Sequence, residues 1–359
     1  MTEQDFIPKP YKELPKNGAV SYQSPSNIAL VKYWGKHGEQ LPENASISFT
    51  LSNCHTQTEL SFEAKTGTDY EFEVFLDGNK EVGFEPKIRS FFERVEQNLP
   101  FLRKYTFVIK TRNSFPHSSG IASSASGMSA LALCLLEMER SMTDGGMTED
   151  YFNKKASFLA RLGSGSASRS IEGPLVVWGS HPDLVNSTNL YGIKFEGTVH
   201  ENFSNYRDTI LLVDKGEKQV SSTVGHNLMH NHPYAQQRFI TANDNLSKLI
   251  AILKSGDLSA FIEVVESEAL QLHSMMMSST PYFILMKPNT LEIINRIWAY
   301  RKTTKSKVCF TLDAGANVHV LYPNAEKDAV LTFIKTELAP FCKNGEYIAD
   351  EVGFGAVKL

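Results

Sequence analysis

SFPHSSGIASSASGM, residues 114–128, lies between a strand-like run, YTFVIKTR (105–112), and an apolar helical run, GMSALALCLLEMERSM (127–142). The order strand, small-residue loop, helix governs how the first half of the chain is read. Gly120 and Gly127 let backbone come close to a ligand, and Ser118, Ser119, Ser123 and Ser124 add hydroxyl donors. The helix start offers unpaired N–H groups and a partial positive charge, so phosphate is the natural ligand. The spacing is not GxxxxGK[ST] and no Lys follows, so this is not a Walker loop. Composition alone is satisfied equally well by a solvated loop with serine N-caps.

Working outward, ASISFTLSNCHTQTELSF (45–62) alternates with period two and reads as strand. YEFEVFLDGNKEVGF (70–84) is two strand-like runs around Asp77-Gly78, a hairpin signal. Helical spacing follows over 86–99 and over 151–162, the latter ended by Gly163. After the polar stretch HENFSNY (200–206), RDTILLVDKG (207–216) begins a new strand, and a domain boundary is placed near 205. Beyond it, helices over 234–254, 257–276 and 288–304 alternate with strands over 307–312 and 317–322. Residues 1–205 and 206–359 are therefore expected to form two α+β domains of α/β two-layer type, with loop-built sites between them.

The bulk properties remove several function classes. A chain of 359 residues is long for one hydrophobic core. The net charge of −4 gives no global case for nucleic-acid binding, so an anionic ligand must be held by a local cluster of cations. No run approaches the roughly 18 apolar residues of a membrane span. MTEQDFIPKPYKELPKNGAV (1–20) has early acids and no apolar core, so it reads as an arm, packed or mobile, rather than a secretory signal. Cys54, Cys134, Cys309 and Cys342 form no CxxC pair, which fits a reducing cytoplasm better than a disulfide framework.

Three further segments carry chemistry. GSGSASRSIEG (163–173) reads as small residues before a helix start, with Ser166 as N-cap and Arg169 in the first turn. A cation there opposes the helix dipole, and a bidentate grip on phosphate or carboxylate would explain it. SPSNIALVKYWGKHG (24–38) clusters Lys32, Tyr33 and Lys36 into an anion clamp, or into an amphipathic strand with snorkelling lysines. VCFTLDAGANVHVLYP (308–323) places Asp313 between two alternating strands, where an Asp is most often turn chemistry. In GHNLMHNHPY (225–234), His226, His230 and His232 have no acid beside them, so solvent-facing or capping roles are expected ahead of zinc.

Taken together, these segments resemble a known family. PHSSGIASSA (116–125) is similar to the phosphate loop of the GHMP superfamily of small-molecule kinases. NIALVKYWGK (27–36), LPENASISFTL (41–51), GSGSASRS (163–170), QVSSTVGH (219–226) and LDAGANVHVL (312–321) resemble segments of the diphosphomevalonate decarboxylase family within it. The resemblance runs from about residue 20 to about 335. It implies an N-terminal ribosomal-protein-S5-like domain, a C-terminal ferredoxin-like domain and a cleft between them. It implies a cytoplasmic homodimer that acts on mevalonate 5-diphosphate with ATP and Mg2+, without nucleic-acid or membrane partners. Asp313 matches the essential aspartate, Arg169 the arginine on the substrate carboxylate, and Lys32 a lysine near the reacting hydroxyl. Tyr33, Lys36, Ser164, Ser166 and Ser222 match diphosphate-holding positions. Ser119, Gly120, Ser123 and Ser124 match the loop around the ATP phosphates, with the metal carried on ATP near Ser124 rather than by a protein site of its own.

The chain departs from the family pattern in SPSN (24–27), in His117 and in Ser168. These departures leave open a related GHMP enzyme acting on mevalonate or its 5-phosphate, as a decarboxylase or a 3-kinase. A non-catalytic metabolite-binding protein of the same fold is the alternative from another class.

Overall fold

A computed structural model describes residues 1–116, 121, 123–143, 146–214 and 222–359, without the side chains of Ser222 and Thr223. Two long strands, β1 (Asn17–Val31) and β4 (Ser46–Ala64), pair antiparallel and form the spine of the first sheet. Along β4 the residues from Cys54 to Phe62 alternate buried and half-buried, as the period-two pattern required. Between these strands lies the small ladder of β2 (Lys36–His37) and β3 (Leu41–Pro42). β5 (Glu71–Leu76) and β6 (Asn79–Lys80) close the expected hairpin. Its turn residues Asp77 and Gly78 have φ of 50° and 84°, both in the left-handed region that a tight two-residue turn needs. β7 (Tyr105–Asn113) leads into the Ser/Gly loop; β8 (Leu175–Trp178) and β9 (Ile193–Lys194) extend the sheet beside the N-terminal part of β4.

Three helices cover this sheet: α1 (Glu85–Val95), α2 (Ser123–Met142) and α3 (Glu149–Gly163). Phe91, Phe92, Leu131, Leu135 and Leu159 pack with Leu60 and Phe107 into one core. The N-terminal arm belongs to it. Phe6 is fully buried and stacks on Phe158 at 4.5 Å, and Glu3 reaches Arg161 at 3.4 Å. Burying a phenylalanine contributes about 1.5–3 kcal/mol, so the packed alternative holds over the mobile one.

The second sheet is antiparallel, in the order β11 (Cys309–Thr311), β12 (Val318–Tyr322), β10 (Arg207–Leu211), β13 (Tyr347–Glu351). A short α4 (Ser222–Asn227) precedes the long α5 (Ala235–Ser255) and α6 (Leu258–Met277); α7 (Pro288–Thr304) and α8 (Lys327–Phe333) complete this half. The final strand, β14 (Val357–Lys358), returns to β1 at Tyr22 and Gln23. The mixed α+β character expected of both halves is present in the two sheets and their helices.

The halves share a core. Ile28, Leu30, Ile47 and Phe49 of the first sheet pack with Leu246 and Leu249 of α5 and with Phe261 and Val265 of α6. A polar latch joins them too. The Asp350 carboxylate accepts from the backbone N–H groups of Ser52, Asn53 and Cys54 at 3.0, 2.7 and 2.7 Å. All four cysteines are buried free thiols. No helix among the described residues is long and apolar enough to cross a membrane.

Candidate active site

β1 stops at Val31, and Lys32 leaves the sheet edge with its two backbone polar groups unpaired by the ladder. Side chains take them: Glu268 Oε2 accepts from the Lys32 N–H at 2.8 Å, and Asn44 Nδ2 donates to the Lys32 carbonyl at 3.0 Å. The lysine side chain is 2 % exposed and its Nζ lies 3.1 Å from Asp313 Oδ1. Burial pushes the ammonium pKa down, while Asp313 and then Glu268 oppose that fall. Asp313 follows the end of β11, and its side chain keeps 29 % of its surface open. Its backbone carbonyl accepts from His273 Nε2 at 3.1 Å, which puts the imidazole proton on that nitrogen.

Arg169 is buried beside this pair, within electrostatic reach of Asp313. Its Nε and Nη1 donate to the hydroxyls of Ser48 and Ser46, each at 2.7 Å. Both serines project from one face of β4, two residues apart. Burial lowers the guanidinium pKa to about 10 against the pull of Asp313 and Tyr33. The expected helix start at this segment is not formed. Gly165–Arg169 is a five-residue 3-10 helix with Arg169 in its last turn, and Ser164 rather than Ser166 stands at its N-cap. The cation therefore opposes no helix dipole, and its placement follows from its burial and the two serines.

Tyr33 packs edge-on to Trp178 at 4.7 Å and against His226 at 4.2 Å, and burial raises its phenol pKa. Gly165 passes so close to Tyr33 that a Cβ there would sit 2.8 Å from the phenol oxygen, so glycine is required. Lys36, half-buried, donates to Gln40 Oε1 at 2.9 Å; burial and then Arg94 lower its pKa. Gly35 turns the chain between these residues at φ 101°, and its N–H donates to His226 Nδ1 at 3.0 Å.

Of the three histidines His230 is exposed, as expected, whereas His226 and His232 are buried; among the described residues no group of histidines, cysteines and acids is gathered to hold a metal. His226 is buried between Tyr33 and Trp34, with its pKa lowered to about 3 by burial, Lys36 and Arg169. His232 is also buried; its Nδ1 accepts from the Tyr234 N–H and its Nε2 lies 3.1 Å from the Met275 carbonyl.

Ser123 and Ser124 open α2, with Ser124 exposed. Ser119 and Gly120 lie outside the described residues, as does the side chain of Ser222. A cavity of about 130 Å³ adjoins the start of α2, lined by Thr58, Val74, Lys87, Ile109, Ser124 and Met128 among others. Reading the sequence alone missed what SPSN (24–27) does. Ser24 donates to the Ser170 carbonyl at 2.7 Å, Ser26 to the Ile121 carbonyl at 2.7 Å, and Asn27 to the Ser166 carbonyl at 3.2 Å. One edge of β1 therefore ties down the loops at 121 and at 163–173. The available signal was a run of small polar residues directly before the apolar IALV.

Comparison with known proteins identifies the family. The diphosphomevalonate decarboxylase-like N-terminal domain matches residues 24–189, and the mevalonate 5-diphosphate decarboxylase C-terminal domain matches residues 209–353. A diphosphomevalonate decarboxylase of Eremothecium gossypii is 30 % identical over 330 residues, covering 87 % of this chain and 79 % of that protein. The chain belongs to the diphosphomevalonate decarboxylase family.

Another family relative, from Ganoderma lucidum, is 29 % identical over 87 % of this chain and 80 % of its own length. The mevalonate diphosphate decarboxylase structure from Staphylococcus aureus superposes with a TM-score of 0.81 at 27 % identity, covering 96 % of this chain and 98 % of that one. A structure described as MDDEF in complex with MVAPP, AMPPCP and magnesium also gives 0.81, at 26 % identity, over 96 % of this chain and 99 % of that one. The two-domain α+β fold expected from the sequence is the fold of these family structures.

Proposed function

We propose that this protein catalyses the ATP-dependent decarboxylation of mevalonate 5-diphosphate to isopentenyl diphosphate, releasing ADP, phosphate and carbon dioxide. The observation that carries the reading is the Lys32–Asp313 pair, brought together from the two sheets beside the buried Arg169. The open carboxylate of Asp313 accepts the proton of the substrate's tertiary 3-hydroxyl, or orients it, as that oxygen attacks the γ-phosphoryl group. The Lys32 ammonium neutralises charge that gathers there.

Phosphorylation converts a poor leaving group into a good one. The C3–O bond then breaks, positive character builds at C3, and phosphate departs. The electrons of the bond to the carboxylate form the new double bond as carbon dioxide leaves. Arg169 holds that carboxylate. Ser46 and Ser48 fix the plane of its guanidinium through Nε and Nη1, which leaves Nη2 to face the substrate. Tyr33, Lys36, Ser164, Ser166 and Ser222 hold the diphosphate.

ATP fits the region at the start of α2. The phosphates meet the helix N-terminus with Ser119, Gly120, Ser123 and Ser124, and the base enters the adjoining cavity. The Ser124 hydroxyl, at the start of α2, would stand beside a magnesium ion carried on the triphosphate, which would supply charge withdrawal from the phosphoryl oxygens.

Residues 1–205 and 206–359 serve as the two walls of the cleft. The exposed Leu291 and Trp298, seven residues apart on α7, give a homodimer a candidate surface. The thiol-only cysteines suit a cytoplasmic enzyme.

The test incubates purified protein with Mg-ATP and, separately, mevalonate, its 5-phosphate and its 5-diphosphate, measuring ADP and carbon dioxide. Equal yields of both, fastest with the diphosphate, are expected. ADP without carbon dioxide would reduce the activity to that of a kinase, and faster turnover of the monophosphate would reassign the substrate.

A further inference from the structure

Glu268 sits in the middle of α6, fully buried, 236 residues from the lysine whose backbone it holds. Its Oε1 accepts from Arg238 Nη1 at 3.0 Å and from Asn245 Nδ2 at 2.7 Å; its Oε2 accepts from Arg238 Nη2 at 2.5 Å and from the Lys32 N–H at 2.8 Å. Arg238 is itself only 4 % exposed. The reaction as derived above uses none of these three side chains. A buried ion pair of this kind adds little net stability over apolar side chains of similar volume, which makes a purely stabilising role a weak explanation.

We propose that Glu268 is a positioning residue for the phosphoryl-transfer step: locked in place by Arg238 and Asn245, it grips Lys32 at the point where β1 ends and so fixes the reach of Nζ to Asp313. This rests on the reading of Lys32 and Asp313 as the reacting pair. α6 then serves both members of the pair, since His273, five residues on, holds the backbone carbonyl of Asp313. A misplacement of about 1 Å at such a pair costs on the order of a hundredfold in rate. The carboxylate has a second effect, through its charge. Among the described residues, the charged and titratable groups around Lys32 are Asp313, Glu268, Arg169 and Arg238, with the neutral His273. Only the first two favour the ammonium, and one of them must also handle the substrate proton.

The experiment compares wild-type enzyme with Glu268→Gln, which keeps an acceptor for the Lys32 N–H but removes the charge. Expected is a fall in kcat of at least about tenfold with KM for mevalonate 5-diphosphate changed less than about threefold. The alkaline limb of kcat/KM should move down by about one pH unit or more. The same shift is read without turnover from the lysine side-chain NMR titration of Lys32. Glu268→Asp, which restores the charge, should bring the limb back.

Because Glu268→Gln strands a buried Arg238, the paired variant Arg238→Gln/Glu268→Gln is made alongside, with Tm recorded for both. A folded variant of either kind with wild-type kcat and an unmoved alkaline limb overturns the proposal. Lys32→Met separates the two claims. If it retains turnover, the reading of the reacting pair fails; if it is inactive while the Glu268 variants match wild type, only the positioning role fails.

Discussion

Two buried lysines in this molecule each face a carboxylate, and the two pairs differ in one respect that matters. Lys155 of α3 meets Glu139 of α2 at 2.6 Å, with the partners 1 % and 0 % exposed. Tyr11 donates to the same carboxylate at 2.7 Å, so the group is sealed and satisfied. Lys32 meets Asp313 at 3.1 Å and is as deeply buried as Lys155, but its acid keeps 29 % of its surface open. Burial lowers the pKa of both lysines. Burial of the cation therefore does not set the proposed reacting pair apart from the sealed one; access to the carboxylate does. The sealed pair ties helix to helix within one core, whereas the open pair joins residues that follow strands of two different sheets.

Substitutions on each side can break this comparison. Asp313→Asn should lower turnover by about 10²–10⁴-fold while Tm stays within a few degrees of wild type. Steady-state kinetics and thermal melts on one preparation check both, and near-normal turnover would refute the role given to the acid. Glu139→Gln should do the reverse: a loss of about 3 kcal/mol in chemical denaturation, with activity per folded molecule unchanged. Arg169→Lys keeps the charge but loses the planar fork held by Ser46 and Ser48, and should reduce kcat/KM by about a hundredfold. An unaffected rate would leave that arginine as packing.

The smallest effect concerns pH. His226 and His273, with pKa values lowered to about 3 and about 4, stay neutral in the folded protein, while their unfolded counterparts titrate near 6.5. The unfolded chain binds protons first, so their contribution is complete above about pH 6.5 and is lost as pH falls toward 4 and then 3. Denaturation midpoints measured from pH 7 to 4 should fall, and His226→Met should flatten the slope. A slope identical to wild type would remove His226 from that account.

Much of the fold was legible because its signals are local. The Asp77-Gly78 turn, the periodicity of α7 and the alternation along β4 each depend on neighbours within a few residues. The candidate residues Lys32, Arg169 and Asp313 were legible as well, through the wording of the segments around them. Their surroundings were not. Glu268 looks like any acid on an amphipathic helix, and nothing within α6 reveals that its partner is a backbone N–H at Lys32. Ser46 and Ser48 read as ordinary polar positions of a strand, because only the folded sheet sets Arg169 against that face. The first-turn assignment of Arg169 failed because a short 3-10 turn and the start of an α-helix share the same small-residue sequence.

The distance along the chain between Lys32 and Asp313, 281 residues, has a consequence for how the protein is made. A ribosome that has just completed α7 has already released Lys32, Arg169 and the Ser/Gly loop, yet the acid has still to be added to the chain. On the proposed mechanism, such a nascent chain lacks the carboxylate that takes or orients the hydroxyl proton as that oxygen attacks the γ-phosphoryl group. On that mechanism, consumption of nucleotide waits until both sheets are assembled.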